Sequence, residues 1–452
     1  MACCLSKIHR QLFRTSGCSE IEFFKDEVMK TNRNSFGALL ILVTIFSQLS
    51  AQTTEYVQIT GMVDDQKGQR IENAQVFLAS TAMGASTRRS GRFRIKNVSS
   101  GTYDLIIYKE GYSLKQFTLT VDASRKNNFN FRLKSKPPAA ATVEGSAKDT
   151  KDHKKKVKKF REGFFSTTSN SYEVKIMNPE VLEFPEDNSA SFKAAAQEPL
   201  VFENRALGYK VTYFLKEFEI TINFTNYRGF TRFEELTPES GEEAHKWRFN
   251  RLKAFRGSPT HFFASLFENY LWQAKDNAVL KSEGFIVSMM LDRQHEGDEA
   301  YSLPTGSRSK SKPIDVNNYI TRGDNESEFQ LSFRQFWEIT YTNELQEPEY
   351  LWHQGLDPNS RQRYKRVNRT GLSNYKGEIS SGTLGDQKSL IKLTSESLTI
   401  STANNYNYDF LGVQVFDYWS WQGMADILPK EYTLAVARSE ETALARSLNQ
   451  EN

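Results

Sequence analysis

The sequence predicts a mainly β protein with a small seven-stranded β-sandwich followed by a larger, β-rich α+β region. Aromatic residues make up 13% of the chain, with 32 Phe and 19 Tyr. Short apolar segments alternate with polar residues and are separated by turn-forming Gly, Asn and Asp, a pattern typical of β-strands. Large rings spaced in this way suit the faces of sheets better than the faces of helices.

An apolar run near the N-terminus, Phe36–Phe46, follows basic residues and precedes small residues that end at Ala51. A charged leader, a short apolar core and a small-residue cleavage point are the features of a secretory signal peptide. We therefore expect residues 1–51 to be leader and signal peptide, with Met29 as the true start. The mature chain is expected to work outside the cytoplasm.

Cysteine usage and net charge exclude several classes of protein. Cys3, Cys4 and Cys18 all fall within the leader, so the mature chain is expected to have neither disulfides nor a catalytic thiol. The formal net charge of +4 is small for 452 residues. A balance this close to neutral argues against a dedicated nucleic-acid-binding protein.

Residues 52–134 contain the pattern of a sandwich. About seven short alternating segments follow one another with turn signals every eight to twelve residues, which is the spacing of a small β-sandwich. The segment Tyr103–Tyr108 is apolar on both faces, since Tyr103, Leu105 and Ile107 alternate with Ile106. A strand of this kind is expected in a sheet that is covered on both sides.

The spacing of glycines and aromatic residues in this region resembles a carboxypeptidase-like regulatory domain. The resemblance lies in Gly61-x-Val63, Gly91-x-Phe93, Gly101-x-Tyr103 and Gly111-Tyr112. It implies a prealbumin-like (transthyretin-like) sandwich, related to carbohydrate-binding-like folds, that is not itself catalytic. The family usually has an acidic residue where Arg88 stands, so no carboxylate role carries over to that position.

The zinc peptidases that carry such a module bind their metal through a His-x-x-Glu pair and a distant histidine. None of the six histidines has Glu at the third position after it. The most similar stretch, His295-Glu296-Gly297-Asp298, is polar and typical of a surface loop. We therefore expect no zinc-peptidase activity, no metal site and no cofactor.

Residues 135–160 are predicted to be a linker, because prolines and alanines are followed by a lysine run, Lys151–Lys159. This run is interpreted as a solvated tether, with peripheral contact to an anionic membrane or glycan as the alternative. A β-rich domain is predicted at residues 161–437, with a helical hairpin formed by Glu242–Arg256 and a second helix capped by Ser258. Residues 438–452 are expected to be a polar tail.

The C-terminal region has a resemblance of its own. Asn178-Pro179-Glu180, Leu207-Gly208-Tyr209-Lys210 and Ala425-Asp426-Ile427-Leu428-Pro429 resemble a region that follows this module in exported proteins of Gram-negative bacteria. The resemblance implies an architecture and a periplasmic or outer-membrane-associated location. It implies no activity.

Two groups of residues are candidates for ligand binding. Trp419 and Trp421 lie near the end of a predicted strand and are candidates for stacking on a sugar ring, although closing a sandwich core is the plainer interpretation. Basic residues on the first hairpin helix are candidates for phosphate binding, although a solvated helix face is again the plainer interpretation. These residues are Lys246, Arg248, Arg251 and Arg256.

Taken together, the sequence predicts a non-catalytic binding or scaffolding protein of the cell envelope, whose partner is an envelope protein or a glycan. The alternative is a hydrolase with a carboxylate site in the C-terminal domain. Asp292 with Glu296 or Asp298 is the candidate pair, because paired acids perform general acid–base catalysis at a suitable separation.

Overall fold

β-Strands dominate the structure, a computed structural model that describes residues 56–136, 150–185, 191–221, 225–291, 310–323, 328–354, 384–401, 407–408 and 412–450. The strands are β1 (Tyr56–Asp65), β2 (Gln75–Leu78), β3 (Gly84–Ser86), β4 (Arg92–Ser99), β5 (Gly101–Tyr108), β6 (Lys115–Val121), β7 (Asn128–Leu133), β8 (Val174–Ile176), β9 (Leu182–Glu183), β10 (Ser191–Lys193), β11 (Ala195–Ala196), β12 (Leu200–Asn204), β13 (Tyr209–Thr221), β14 (Thr225–Glu235), β15 (Phe285–Leu291), β16 (Lys310–Pro313), β17 (Ile320–Arg322), β18 (Glu328–Leu331), β19 (Trp337–Leu345), β20 (Asp386–Leu393), β21 (Leu398–Ser401), β22 (Asn407–Tyr408) and β23 (Val413–Asp417). The helices are α1 (Lys151–Phe164), α2 (Gly241–Phe255), α3 (Pro259–Leu271), α4 (Ala278–Ser282), α5 (Pro348–His353), α6 (Tyr418–Trp421) and α7 (Leu434–Gln450). The predicted signal peptide and the three cysteines lie outside the described residues.

The first seven strands form the predicted sandwich. One sheet has the strand order β4-β1-β7 and the other has the order β3-β2-β5-β6. Phe93 and Ile95 of β4 are buried while Arg92, Arg94 and Lys96 beside them are exposed, so one face of the strand supplies the core. The prediction of a seven-stranded sandwich is confirmed.

The apolar outer face of β5 is covered, as the sequence predicts. Leu105 and Ile107 are buried in the sandwich core. Ile106 points the other way and is also fully buried, in a second cluster with Phe77, Phe214 and Phe230. Two members of that cluster come from β13 and β14, so the C-terminal region covers this sheet.

A helix replaces the end of the predicted linker. The Thr150 side chain accepts a hydrogen bond from the His153 backbone N–H at 3.1 Å and caps α1. Phe160 and Phe164 are fully buried on its inner face. The linker prediction is wrong from Lys151 onward, because the lysine run conceals apolar residues at helical spacing.

The sheet that holds α1 has the order β10-β13-β12-β8, and β14 pairs along the other side of β13. Successive residues of a strand point to opposite faces. Tyr213 packs against Phe164 of α1 with ring centroids 4.9 Å apart, whereas Phe214 stacks on Phe77 of the sandwich at 5.3 Å. The sheet therefore has α1 on one face and the sandwich on the other.

The sandwich also contacts the edge of this sheet. The turn after β2 runs beside β14, where the Ser80 N–H donates to the Thr231 carbonyl at 2.8 Å and the Phe233 N–H donates to the Thr81 carbonyl at 3.0 Å. These bonds form a short parallel bridge. The two regions thus share backbone hydrogen bonds as well as an apolar contact, and their relative orientation is fixed.

Two further sheets share the largest core with α3. Their strand orders are β16-β15-β19-β20-β23 and β17-β18-β21-β22. Phe262, Phe263, Leu266 and Phe267 of α3 are buried in this core. The apolar stripe that predicts the second hairpin helix is therefore the face with which α3 packs on the two sheets.

The hairpin between α2 and α3 follows the prediction. The Ser258 side chain accepts a hydrogen bond from the His261 N–H and Pro259 takes the first helical position. Gly257 joins the two helices with φ +70°, and a Cβ there would lie 2.6 Å from Gln387 Oε1. Glycine fits this turn because it adopts the left-handed region without strain and has no Cβ to clash with the Gln387 side chain.

The predicted polar tail is wrong over most of its length. Residues 434–450 form α7. Leu434 and Ala437 are buried in a cluster with Leu252, Phe255 and Ala264 of the hairpin. The prediction missed this helix because its apolar positions are few and small.

We expect Phe214→Ala to lower the free energy of unfolding by about 3 kcal/mol, because it removes a buried ring. The loss lies where the two regions meet, so the calorimetric unfolding transition should also broaden or split. Phe131→Ala is the matched control, since it removes a ring within the sandwich and should leave one transition. Identical peak shapes for the two variants would contradict a structural role for the contact.

Candidate functional site

The two candidate tryptophans lie in the core. Trp419 and Trp421 are 5% and 3% exposed. The Trp419 Nε1–H donates to the Gly257 carbonyl at 2.6 Å, and the Trp421 Nε1–H donates to Thr167 Oγ1 at 3.0 Å. The sugar-stacking prediction is wrong for both, because protein atoms already occupy their surroundings and their donors.

The basic residues of α2 hold the helix to its neighbours. Lys246 Nζ lies 2.6 Å from Glu173 Oε2. The Arg251 guanidinium lies over the Tyr209 ring at 4.1 Å, and its Nε donates to the Leu207 carbonyl at 2.7 Å. Arg248 is exposed. The structure therefore does not gather these side chains into a phosphate cradle.

The fourth basic candidate, Arg256, belongs to a network of ion pairs under α7. Its guanidinium pairs with Glu283 at 3.4 Å and also with Glu441. Glu283 in turn accepts from Arg438 at 2.7 Å, and Arg438 pairs with Glu268 at 2.9 Å. This network joins the residues that follow α2 and α4 to α3 and α7, beside the apolar cluster that also holds α7.

A buried histidine completes this network. The Gly257 N–H donates to His261 Nδ1 at 3.1 Å, so the ring proton must be on Nε2, which donates to Glu283 at 3.1 Å. Burial lowers the pKa of His261, which favours the neutral ring. Burial alone would raise the pKa of Glu283, but hydrogen bonds from His261 and Arg438 outweigh it and lower this pKa to about 2.

A second cluster of charged groups joins α2 to the chain before α5 and to the turn after α6. Lys253 Nζ lies 2.9 Å from Glu347 Oε1, and the Ser169 N–H donates to Glu347 Oε2 at 3.0 Å. The Asn170 side chain donates to Asp426 Oδ1 at 2.9 Å. We call Lys253, Glu344, Glu347 and Asp426 the acid cluster.

The acid cluster contains three carboxyl groups and one ammonium group. Burial raises the pKa of Asp426 to about 7, and the charge of Glu347 adds to the shift. Burial also raises the pKa of Glu344 to about 7, although Lys253 opposes this shift. Two carboxyl groups therefore titrate near neutrality, which sequence reasoning missed because these acids are far apart along the chain.

The sandwich carries an open groove of about 390 Å³ at the start of β1 and β7. Arg125 lines it and is oriented by a 2.8 Å bond from its Nε to Asp122. Six of the seven lining residues are of polar or basic type, and no sequence motif marks them. The lining residues are Val57, Gln58, Thr60, Arg125, Lys126, Asn127 and Asn128.

Among the described residues, no group of three or more His, Cys, Asp or Glu is placed to hold a metal ion. Within the same residues, no helix is long and apolar enough to cross a membrane. The candidate catalytic acids Asp292, Glu296 and Asp298, with His295 beside them, lie outside the described residues.

We expect Asp426→Asn to flatten the dependence of stability on pH. With its pKa raised to about 7, Asp426 contributes stability that is complete below pH about 4 and is lost as the pH rises through about 7. Asn keeps the bond from Asn170 and cannot ionise. As the pH rises from 4 to 8, the free energy of unfolding, measured in urea, should fall for both proteins. The fall should be smaller for the variant than for the wild type by at least about 1 kcal/mol. Asp276→Asn, at an exposed site, should follow the wild-type curve.

Glu283→Gln should show the opposite dependence. The lowered pKa of Glu283 contributes stability that is complete above pH about 4.5 and is lost as the pH falls towards 2. The variant should be destabilised by about 3 kcal/mol at pH 7, because two arginines lose their shared carboxylate. That deficit should shrink by about 2 kcal/mol at pH 3. An equal deficit at both pH values would contradict this assignment.

Three of the solved structures that resemble the chain are distant from it. A cohesin–X-dockerin complex from Acetivibrio cellulolyticus is 20% identical over 18% of this chain and 58% of its own, with a TM-score of 0.16. A putative carbohydrate binding protein from Bacteroides uniformis is 12% identical over 41% of this chain and 68% of its own, with a TM-score of 0.14. The Bacillus anthracis TIE protein is 10% identical over 40% of this chain and 32% of its own, with a TM-score of 0.17.

The sequence itself is more informative for the sandwich. A comparison with curated proteins gives no match. The family model of the carboxypeptidase regulatory-like domain matches residues 58–134, which cover β1 to β7 almost completely. The match agrees with the glycine and aromatic spacing and with the observed sandwich. Residues 58–134 are therefore a carboxypeptidase regulatory-like domain, a non-catalytic module, built into a larger chain.

Proposed function

We propose that the protein is a non-catalytic, exported binding or scaffolding protein of the bacterial cell envelope. The observation that supports this most is the fixed docking of the regulatory-like domain on the C-terminal region. Ile106 and Phe77 pack against Phe214 and Phe230, and the turn after β2 bonds to the edge of β14. A non-catalytic module held in one orientation is suited to presenting a surface to a partner.

The chemistry of the buried charges agrees with a structural use. Glu283 is shared by His261, Arg256 and Arg438, and Glu347 is shared by Lys253 and the Ser169 backbone. Their oxygens are engaged in joining elements of the fold. A contact surface is better sought on exposed faces, and the groove of the regulatory-like domain is one concave candidate among the described residues.

The predicted signal peptide and the resemblance of the C-terminal region to exported proteins support the proposed envelope location. The partner is an envelope protein or a glycan. Polar groups in a concave site are the usual means by which a protein orients such a ligand. Gln58, Lys126 and Asn128 provide such groups in the groove.

The alternative function is a hydrolase with a carboxylate site in the C-terminal region. What favours it is that burial raises the pKa of both Asp426 and Glu344 to about 7. A carboxyl group that is protonated at neutral pH can act as a general acid. Against it, the Asp426 carboxylate accepts a hydrogen bond from Asn170 within the fold. A purely structural role for Asp426 explains that bond equally well.

The test is a pulldown from native envelope fractions with the tagged chain from Gln52 onward, beside a glycan array. We expect one specific partner, with capture reduced at least about 10-fold by Lys126→Glu in the groove. Lys96→Glu makes the same charge change at another exposed site of the sandwich and should leave capture intact. Equal capture by both variants would exclude the groove as the contact surface.

Two other results would decide against the proposal as a whole. The absence of any partner or glycan for the wild-type chain would contradict a binding function. Turnover of a glycoside or ester substrate, abolished by Asp426→Asn with the fold intact, would instead support the hydrolase.

A further inference from the structure

From the geometry of α1, we infer that its exposed lysine row is a docking face for the anionic headgroups of a lipid bilayer. This inference rests on the proposed envelope function and adds a second contact surface to it. The row consists of Lys151, Lys154, Lys155 and Lys158, and all four side chains are exposed.

Helical spacing places these four lysines together. They occupy positions i, i+3, i+4 and i+7, which lie on one face of an α-helix within an arc of about 100°. The row spans about 10 Å along the helix axis. Glu162 bounds it at the C-terminal end, 4.0 Å from Lys158 Nζ. In an extended linker the same lysines would face all directions, whereas on the helix they face one side.

The opposite face of α1 fixes the row in place. Phe160 packs on Phe218 with ring centroids 4.5 Å apart, and Phe164 packs on Tyr213 at 4.9 Å. His153 Nε2 lies 3.1 Å from the Leu182 carbonyl oxygen at the start of the helix. Because this face is buried, the helix cannot rotate its lysines away from a surface that they contact.

The chemistry of the row favours a charged surface over a glycan. Recognition of a sugar usually requires a concave site with aromatic or convergent polar groups. The aromatic side chains of α1, Phe160 and Phe164, are both fully buried. Clustered ammonium groups on a convex helix need no such complementarity, because each is attracted separately to an anionic membrane.

The position of α1 in the fold gives this contact an orientation. Tyr213 contacts α1 and the next residue, Phe214, contacts the regulatory-like domain, so these two lie on opposite faces of one sheet. A bilayer beneath the lysine row would therefore lie on the far side of the sheet from the domain. The groove of the domain would remain accessible to a partner.

The test is co-sedimentation of the tagged chain from Gln52 onward with vesicles of phosphatidylcholine alone or with 30% phosphatidylglycerol added. We expect binding only to the anionic vesicles, and binding should weaken as salt shortens the range of charge interactions. Lys151→Gln, Lys154→Gln, Lys155→Gln and Lys158→Gln combined should lower the apparent affinity by about 100-fold or more. Glutamine keeps the helix propensity of lysine.

The matched control removes the same charge elsewhere. Lys67, Lys96, Lys275 and Lys388 are exposed and lie on other elements, and their combined replacement by Gln should leave vesicle affinity within about 3-fold of the wild type. Circular dichroism and the melting temperature establish that both variants are folded.

Three outcomes would overturn the inference: no vesicle binding by the wild type, an equal loss in both variants, or binding to an anionic polysaccharide without binding to vesicles. The pulldown separates this failure from failure of the proposed function. If the lysine-row variant still captures its envelope partner, the binding function stands without the membrane contact.

Discussion

The arrangement of the molecule depends on the contact between the regulatory-like domain and the sheet of β13 and β14. Phe77 and Ile106 cover Phe214 and Phe230 on the face of that sheet, and the Ser80–Thr81 backbone bonds to its edge. An apolar face contact gives most of the stabilisation, while the backbone bonds fix the register. Without both, the domain would be joined to the rest of the protein only by its linker and would have no fixed orientation.

Two networks of charge connect the remaining elements, and they respond to protons in opposite ways. In one, Glu283 is surrounded by donors and stays ionised. In the other, Asp426 and Glu344 lie near Glu347 and hold protons near neutrality. Burial raises the pKa in both places. Hydrogen bonds from His261 and Arg438 outweigh it at Glu283, whereas in the acid cluster a single lysine faces three carboxyl groups and burial prevails.

The sequence predicts the sandwich well, because strand alternation and glycine turns are local properties of the chain. It also predicts the hairpin, through the Ser258 cap and the stripe of α3. It does not predict that Trp419, Trp421 and Arg256 make contacts within the fold. Their partners Gly257, Thr167 and Glu283 are distant from them in sequence. The sequence also does not predict α1 and α7, because their many charged residues outnumber a narrow apolar stripe. The acid cluster arises from tertiary contacts that no local pattern encodes.

The turn at Ser80 and Thr81 has a consequence for how the chain folds. A strand edge such as that of β14 is a template on which another chain can add, and proteins protect such edges. Here the protection comes from a domain that is synthesised earlier and can form before β14 emerges. The regulatory-like domain thus covers part of the edge of β14 that would otherwise be open. A chain that lacked this domain would expose both an open edge and two phenylalanines, and self-association would compete with its folding.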